Sequence, residues 1–207
     1  MGLNAAQLQA SLDALAGQEP LFAAALARIG YPAPRLRTRG FETLLRTIVG
    51  QQVSVKAADA MWRMLVDQVG STPPAILAAS DEALRAAGTS RQKAGYMRSL
   101  AEEVTSGRLD LADLPADDEE AIAALVRVKG IGRWSAEIYL LFAEGRADIW
   151  PAGDLAVQIE LGRILGHAER PSEKLTRALA ERWRPHRGAL AIFTWHHYGA
   201  GPDAAPV

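Results

Sequence analysis

The sequence predicts an all-α fold, on three observations. Apolar residues recur at helical spacing through nearly the whole chain. No segment sustains the period-2 alternation of a half-buried strand. Ser, Asp and Gly stand at the ends of the periodic segments, where helix caps belong. At 207 residues, 49% apolar and 23% charged, the chain has an ordinary globular composition. It suits one domain, or two small subdomains sharing a core. There is no cysteine, which excludes a disulfide framework, an iron–sulfur cluster, a thiolate zinc site and a cysteine nucleophile. Four histidines leave little room for a His-rich metal centre, so no metal site is expected.

Residues 4–16 and 19–30 read as two short helices, the second ending at Gly30. Tyr31-Pro32-Ala33-Pro34 cannot continue it and reads as a connector. From Phe41 to Val49 one face carries Phe41, Leu44, Leu45, Ile48 and Val49, an amphipathic helix interrupted by Gly50-Gln51-Gln52. Ser54 then caps a helix from Val55 to Val69, which stops at Gly70. Pro73 and Pro74 open the next turn of the chain. Ser80 caps a short helix ending at Gly88, and Ser90 caps another running to Ser106-Gly107. The acidic run Asp117 to Glu120 opens the helix that ends near Val128, where negative charge complements the helix dipole. Lys129-Gly130-Ile131-Gly132 follows, then a helix from Arg133 to Glu144. Ile149 to Gly153 is a loop and Asp154 to Leu165 a helix. Ser172 caps one reaching Trp183, and the last spans Arg187 to Tyr198. Residues 201–207 read as a frayed tail.

Net charge is −1, from 23 basic and 24 acidic residues, which lacks the usual basic footprint of a nucleic-acid binder. The average hides a split. Between Arg127 and Tyr198 eleven Lys/Arg face eight Asp/Glu, all four histidines fall there, and Arg35, Arg37 and Arg39 cluster upstream. Local basic patches are therefore compatible with a neutral chain. No apolar run approaches the ~20 residues of a membrane span. No basic region precedes an apolar stretch at the N-terminus, as a secretory signal would require. A soluble, cytoplasmic protein without membrane partners is expected.

The main signal is Leu125 to Leu141, LVRVKGIGRWSAEIYLL. Two helices are joined by a very short Gly-hydrophobe-Gly turn. Glycines let the backbone turn tightly and approach another molecule, while Ile131 can plug the space between the helices. Unpaired N–H groups at the start of the second helix form a ready anion site, flanked by Lys129 and Arg133. A DNA backbone phosphate suits that chemistry; a plain αα-hairpin is the bland alternative.

This segment resembles the helix-hairpin-helix motif of the DNA glycosylase superfamily named for that hairpin, a Gly/Pro-rich loop and a catalytic Asp. The loop and acid are matched here by Trp150-Pro151-Ala152-Gly153-Asp154. Ile48 to Ala58, IVGQQVSVKAA, and Glu181 to Arg187, ERWRPHR, leading to Trp195, narrow the resemblance to the AlkA-like 3-methyladenine DNA glycosylase II branch. The matches cover roughly residues 36 to 198.

The resemblance implies two helical subdomains, 35–115 and 116–200, flanking a DNA-binding cleft, with residues 1–34 packed on the C-terminal half. It implies a DNA glycosylase that hydrolyses the N-glycosidic bond of alkylated bases such as 3-methyladenine and 7-methylguanine in base excision repair. Asp154 becomes the catalytic residue, a fixed anion beside an oxocarbenium-like sugar; as the first residue of its helix it is also a natural N-cap. Trp134 stands where bifunctional relatives carry a lysine, and it cannot form a Schiff base, so the implied enzyme is monofunctional, without AP-lyase activity. Trp134 and Trp195 are implied to line the base pocket, attracting a cationic purine. Ile138 and Leu155 stand where related pockets often have aromatic residues, which implies a more open pocket. Lys129, Gly130, Ile131, Gly132, Arg133 and Ser135 are implied to hold the DNA backbone. The nucleotide must be flipped out. The loop of Gly88, Thr89 and Ser90 is implied as the wedge that fills the gap, with Gln51 or Gln52 contacting the opposite strand. Double-stranded DNA is then the partner, a monomer is expected, and no cofactor is required. The hairpin carbonyls can hold a monovalent cation. Two other readings stay open: a non-catalytic helix-hairpin-helix protein that binds DNA or recognises damage, and a glycosylase for oxidised or mismatched bases.

Overall fold

A computed structural model describes residues 3–200. Among them there is no strand, and the helices follow the expected order. They are α1 (Ala5–Gln18), α2 (Pro20–Ile29), α3 (Phe41–Gly50), α4 (Val55–Gln68), α5 (Pro73–Ala78), α6 (Asp81–Ala86), α7 (Arg91–Thr105), α8 (Asp118–Val126), α9 (Arg133–Tyr139), α10 (Leu155–Ile164), α11 (Glu173–Ala180) and α12 (Arg187–Gly199). Side chains cap most of them. Asn4 and Gln7 form a capping box on α1, and Ser54, Thr72, Ser80, Ser90, Asp117, Asp154 and Ser172 cap α4, α5, α6, α7, α8, α10 and α11. Each such bond satisfies an amide that the first turn leaves without a helical acceptor.

Two segments differ from expectation. Pro73 and Pro74 start a full helical turn, because proline is tolerated at the first helical positions. The helix from Arg133 does not remain α to Glu144: Leu140–Glu144 is a π turn. The tail expected at 201–207 lies outside the described residues.

The chain divides into two compact units. One joins the residues up to Arg37 with those from Leu140 onward; the other is Thr38–Tyr139. The boundary expected at 115/116 is therefore displaced, and the whole hairpin belongs with α3–α7. The reason is local packing: α9 packs against both α8 and α3, and the Gly40 N–H donates to the Tyr139 hydroxyl at 2.8 Å.

In the Thr38–Tyr139 unit, α3 is the centre. Leu44, Leu45, Ile48 and Val49 are wholly buried, against α4, α7 and α9. At about 1.5–3 kcal/mol per large apolar side chain, this face is the unit's main stabilising surface. In the other unit α12 is central, packing on α1 and α10. Its start is pinned: the Gly188 N–H donates to the Ala147 carbonyl at 2.8 Å, and a Cβ on Gly188 would lie 2.5 Å from that oxygen. Arg187 and Arg184 both bind the Asp148 carboxylate. Trp183, fully buried, meets Phe22 of α2 edge-on at 4.9 Å, so the N-terminal helices share this unit's core.

Candidate active site

In the Thr38–Tyr139 unit the hairpin is a tight turn. Its bonds run from the Val128 N–H to the Leu125 carbonyl and from the Ile131 N–H to the Val128 carbonyl, at 3.1 and 3.0 Å. Gly130 has φ +85°, and a Cβ there would sit 2.3 Å from the Tyr96 ring, so only glycine fits. Ile131 is buried, filling the turn from inside. Gly132 is exposed, with nothing within 4 Å of an added Cβ. The two glycines thus serve different ends: one lets α7 come close, and the other leaves the backbone open to a ligand. The first α-helical bond of α9 is the Ala136 N–H to the Gly132 carbonyl, 3.0 Å. The amides of Arg133, Trp134 and Ser135 precede it and lack a helical acceptor. The Val128 and Gly130 carbonyls each accept one bond. A carbonyl keeps a second lone pair, which a monovalent cation at this turn would use.

Lys129 is exposed, and its main-chain N–H donates to the Ser99 hydroxyl at 3.1 Å. Arg133 differs from the free phosphate ligand expected. Its guanidinium binds Glu119 through two bonds, at 2.8 and 2.5 Å, and the buried Glu137 at 2.9 Å. The bonds to Glu119 lead the causes that raise its pKa above the usual arginine value. The acidic run thus does more than complement a dipole: Asp117 caps α8, and Glu119 reaches the hairpin. Glu137, a buried carboxylate absent from the sequence-based site, stands four residues after Arg133, the one local signal that could have found it. Trp134 is 47% exposed. Ile138, one turn on, is buried, and Ser135 is half-buried.

Gln51 and Gln52 part company. The Gln51 side-chain amide donates to the Gly130 carbonyl at 2.7 Å, so it supports the turn. Gln52 is exposed with φ +56°, a left-handed conformation uncommon outside glycine. Val53 and Val55 beside it are exposed, Val55 by 74%. Thr89 corrects the wedge assignment. It is buried, its hydroxyl donates to the Leu84 carbonyl at 2.6 Å, and it has no surface with which to enter a duplex. The Ser90 hydroxyl accepts the Lys93 N–H as the α7 cap.

In the other unit the loop before α10 is bolted down. The buried Trp150 indole donates to the Thr176 carbonyl at 3.1 Å, and the Gln158 amide donates to the Ala152 carbonyl at 2.7 Å. Asp154, half-buried, accepts the Val157 N–H at 3.0 Å, while its own N–H donates to the Pro151 carbonyl. Leu155 next to it is 56% exposed. Trp195, half-buried, meets Phe142 of the π turn with centroids 5.6 Å apart. The Arg35 guanidinium lies 5.5 Å from the Trp195 ring centre. Burial pulls the pKa of Arg35 down, and the Asp154 charge opposes that. Arg35 thus stands over the Trp195 ring and within electrostatic reach of Asp154. Arg35 was visible in the sequence only as one of a run of arginines.

His196 and His197 hold helices together. His196 Nε2 lies 3.2 Å from the Ile29 carbonyl. His197 takes the Arg28 guanidinium on Nε2 and sits 2.5 Å from the buried Glu160 through Nδ1. Since Arg28 can only donate, Nε2 accepts and the Nδ1–H is directed at Glu160. Among the described residues no three His, Asp or Glu side chains gather as metal ligands, and no helix is long and apolar enough to cross a membrane.

Residues 45–185 match the HhH-GPD superfamily of base excision DNA repair proteins. DNA-3-methyladenine glycosylase 2 of Escherichia coli (strain K12) is 31% identical over 197 residues, 87% of this chain and 67% of that protein. The structure of a DNA-3-methyladenine glycosidase from Bacillus halodurans superposes with a TM-score of 0.84 at 32% identity, over 93% of this chain and 89% of that one. That of Schizosaccharomyces pombe 3-methyladenine DNA glycosylase in complex with abasic DNA gives 0.76 at 27% identity, over 95% and 99%. With more than half its length in the family match and these relatives alongside it, the chain belongs to the HhH-GPD superfamily of base excision DNA repair proteins.

Proposed function

We propose that the chain is a monofunctional alkylbase DNA glycosylase, working as a monomer on double-stranded DNA. The observation that carries this is Asp154. It is a half-buried carboxylate on a loop held by side-chain hydrogen bonds, within electrostatic reach of the arginine that stands over Trp195, inside a chain whose relatives bear the name 3-methyladenine glycosylase.

In this reading the open backbone at Gly132, the first amides of α9 and Lys129 hold a phosphate of the lesion strand. The target nucleotide is flipped out. Gln52, exposed and left-handed, takes the gap-filling role for which Thr89 is unsuited, and Gln51 keeps the turn in shape. The extruded base stacks on Trp195. The bond from C1′ to the base nitrogen breaks, its electron pair leaving with the base. A base carrying a positive charge departs neutral and needs no acid. Asp154 stabilises the positive charge left on the sugar and orients the water whose oxygen bonds to C1′. That water's proton passes to solvent, directly or through the carboxylate. No cofactor enters. Trp134 offers no amine, so the sugar–phosphate strand stays whole.

The test is base release from methylated duplex DNA by wild type and Asp154→Asn, with strand nicking scored in parallel. Asn caps a helix as well as Asp, so the variant should fold with little change in Tm. Release of 3-methyladenine and 7-methylguanine should fall by roughly a hundredfold or more, without nicking at any stage. Wild type that binds DNA yet releases no alkylated base would leave the non-catalytic reading in its place, with Asp154 a helix cap.

A further inference from the structure

The indole assigned to the base already holds a cation. Arg35, in the connector ahead of α3, places its guanidinium carbon 5.5 Å from the centre of Trp195. Phe142 meets the same indole, tilted by 58°. Arg37 lies 5.7 Å from the Phe142 ring centre, and its main-chain N–H donates to the Phe142 carbonyl at 2.9 Å. A row of cation, indole, phenyl and cation results, all within one unit. Among the described residues Arg35 has the Trp195 ring and, through space, the Asp154 charge as partners. Arg187, a buried arginine of the same unit, is instead fixed by Asp148 and Glu181. An arginine held by an aromatic face rather than by a hydrogen-bonded carboxylate can be exchanged for another cation.

We propose that Arg35 sets the charge preference of the site, by occupying the cation-attracting indole of Trp195. A cationic base must displace the guanidinium or stack beside a like charge. A neutral base with a ring carbonyl instead gains a donor, because guanidinium N–H groups can only donate. Arg35 is thus a specificity-determining residue that moves the enzyme away from exclusive use of cationic leaving groups. This rests on Trp195 being the stacking surface of the glycosylase proposed above.

Base release at subsaturating enzyme tests it, on duplexes carrying 3-methyladenine, which is cationic, or hypoxanthine, which is neutral. The proteins are wild type, Arg35→Ala, Arg35→Gln and Arg35→Lys. In the Ala and Gln variants the ratio of 3-methyladenine to hypoxanthine release should rise about two- to thirtyfold, the range of one cation–π contact. Release of 3-methyladenine itself should rise. The Lys variant, which keeps the charge, should stay near wild type and covers the case in which Ala fails to fold. An unchanged ratio, or equal falls on both bases, would overturn the proposal, since a merely structural role moves both together. So would a fall in 3-methyladenine release where hypoxanthine release is too slow to score. Wild type releasing neither base, nor any other alkylated base, would overturn the glycosylase reading itself and this inference with it, a result distinct from an active enzyme with an unmoved ratio.

Discussion

The Gln51 side-chain amide donates to the Gly130 carbonyl at 2.7 Å, tying the loop after α3 to the hairpin turn. Gln52, the next residue, holds a left-handed backbone and an exposed side chain. Neighbouring glutamines thus have separable roles. Gln51→Ala should cost about 1 kcal/mol of stability and weaken DNA binding together, through a slackened turn. Gln52→Gly should raise Tm slightly, because glycine adopts positive φ without strain, and yet lower base release, because the gap loses its filler. Melting curves and release assays on the two variants separate the roles. Gln52→Gly with full activity would assign the gap to another residue.

Arg133 is expected from its place in the hairpin to meet phosphate, but Glu119 holds it with two hydrogen bonds. Glu119→Gln should therefore tighten DNA binding several-fold. It should also steepen the plot of log affinity against log salt by about one phosphate contact, near 0.9 in slope. The partly exposed pair should cost less than about 1 kcal/mol of stability. Titrations at several salt concentrations check this; an unchanged slope would show that Arg133, still bonded to Glu137, stays away from phosphate without Glu119.

Glu160 is wholly buried, with His197 on one oxygen and Arg163 on the other. His197→Ala should destabilise the protein by about 2–4 kcal/mol, since a buried charge loses a partner. Adding Glu160→Gln should recover part of that loss, because the stranded charge is removed. Denaturant unfolding of the single and double variants measures both. A simple sum of losses would mean that the two side chains act independently.

The helices and caps were legible because their causes are short-range. Ser54, Ser90, Ser172 and Asp154 each bond an amide three residues on, and that spacing can be read from the chain. The hairpin was legible for the same reason: its turn spans four residues whose types suit little else. What escaped depends on distant chain meeting distant chain. Glu119 lies fourteen residues before Arg133, and Arg35 belongs to a connector far in sequence from Trp195. Thr89 reads as an open loop residue in the sequence, and only the packing that buries it shows otherwise. The π turn at Leu140–Glu144 carries no composition of its own, and its apolar residues suit an α-helix equally well.

His196 and His197 are adjacent on α12, so their side chains leave the axis about 100° apart. One reaches the Ile29 carbonyl at the end of α2; the other reaches Arg28 and Glu160 of α10. Contacts to α2 and α10 from adjacent positions resist rotation of α12 about its axis. Trp195, the residue immediately before them, inherits that orientation. Phe142 and Arg35 pack on its indole, so in the glycosylase proposed above little of the binding energy of a base would be consumed in turning the ring to meet it.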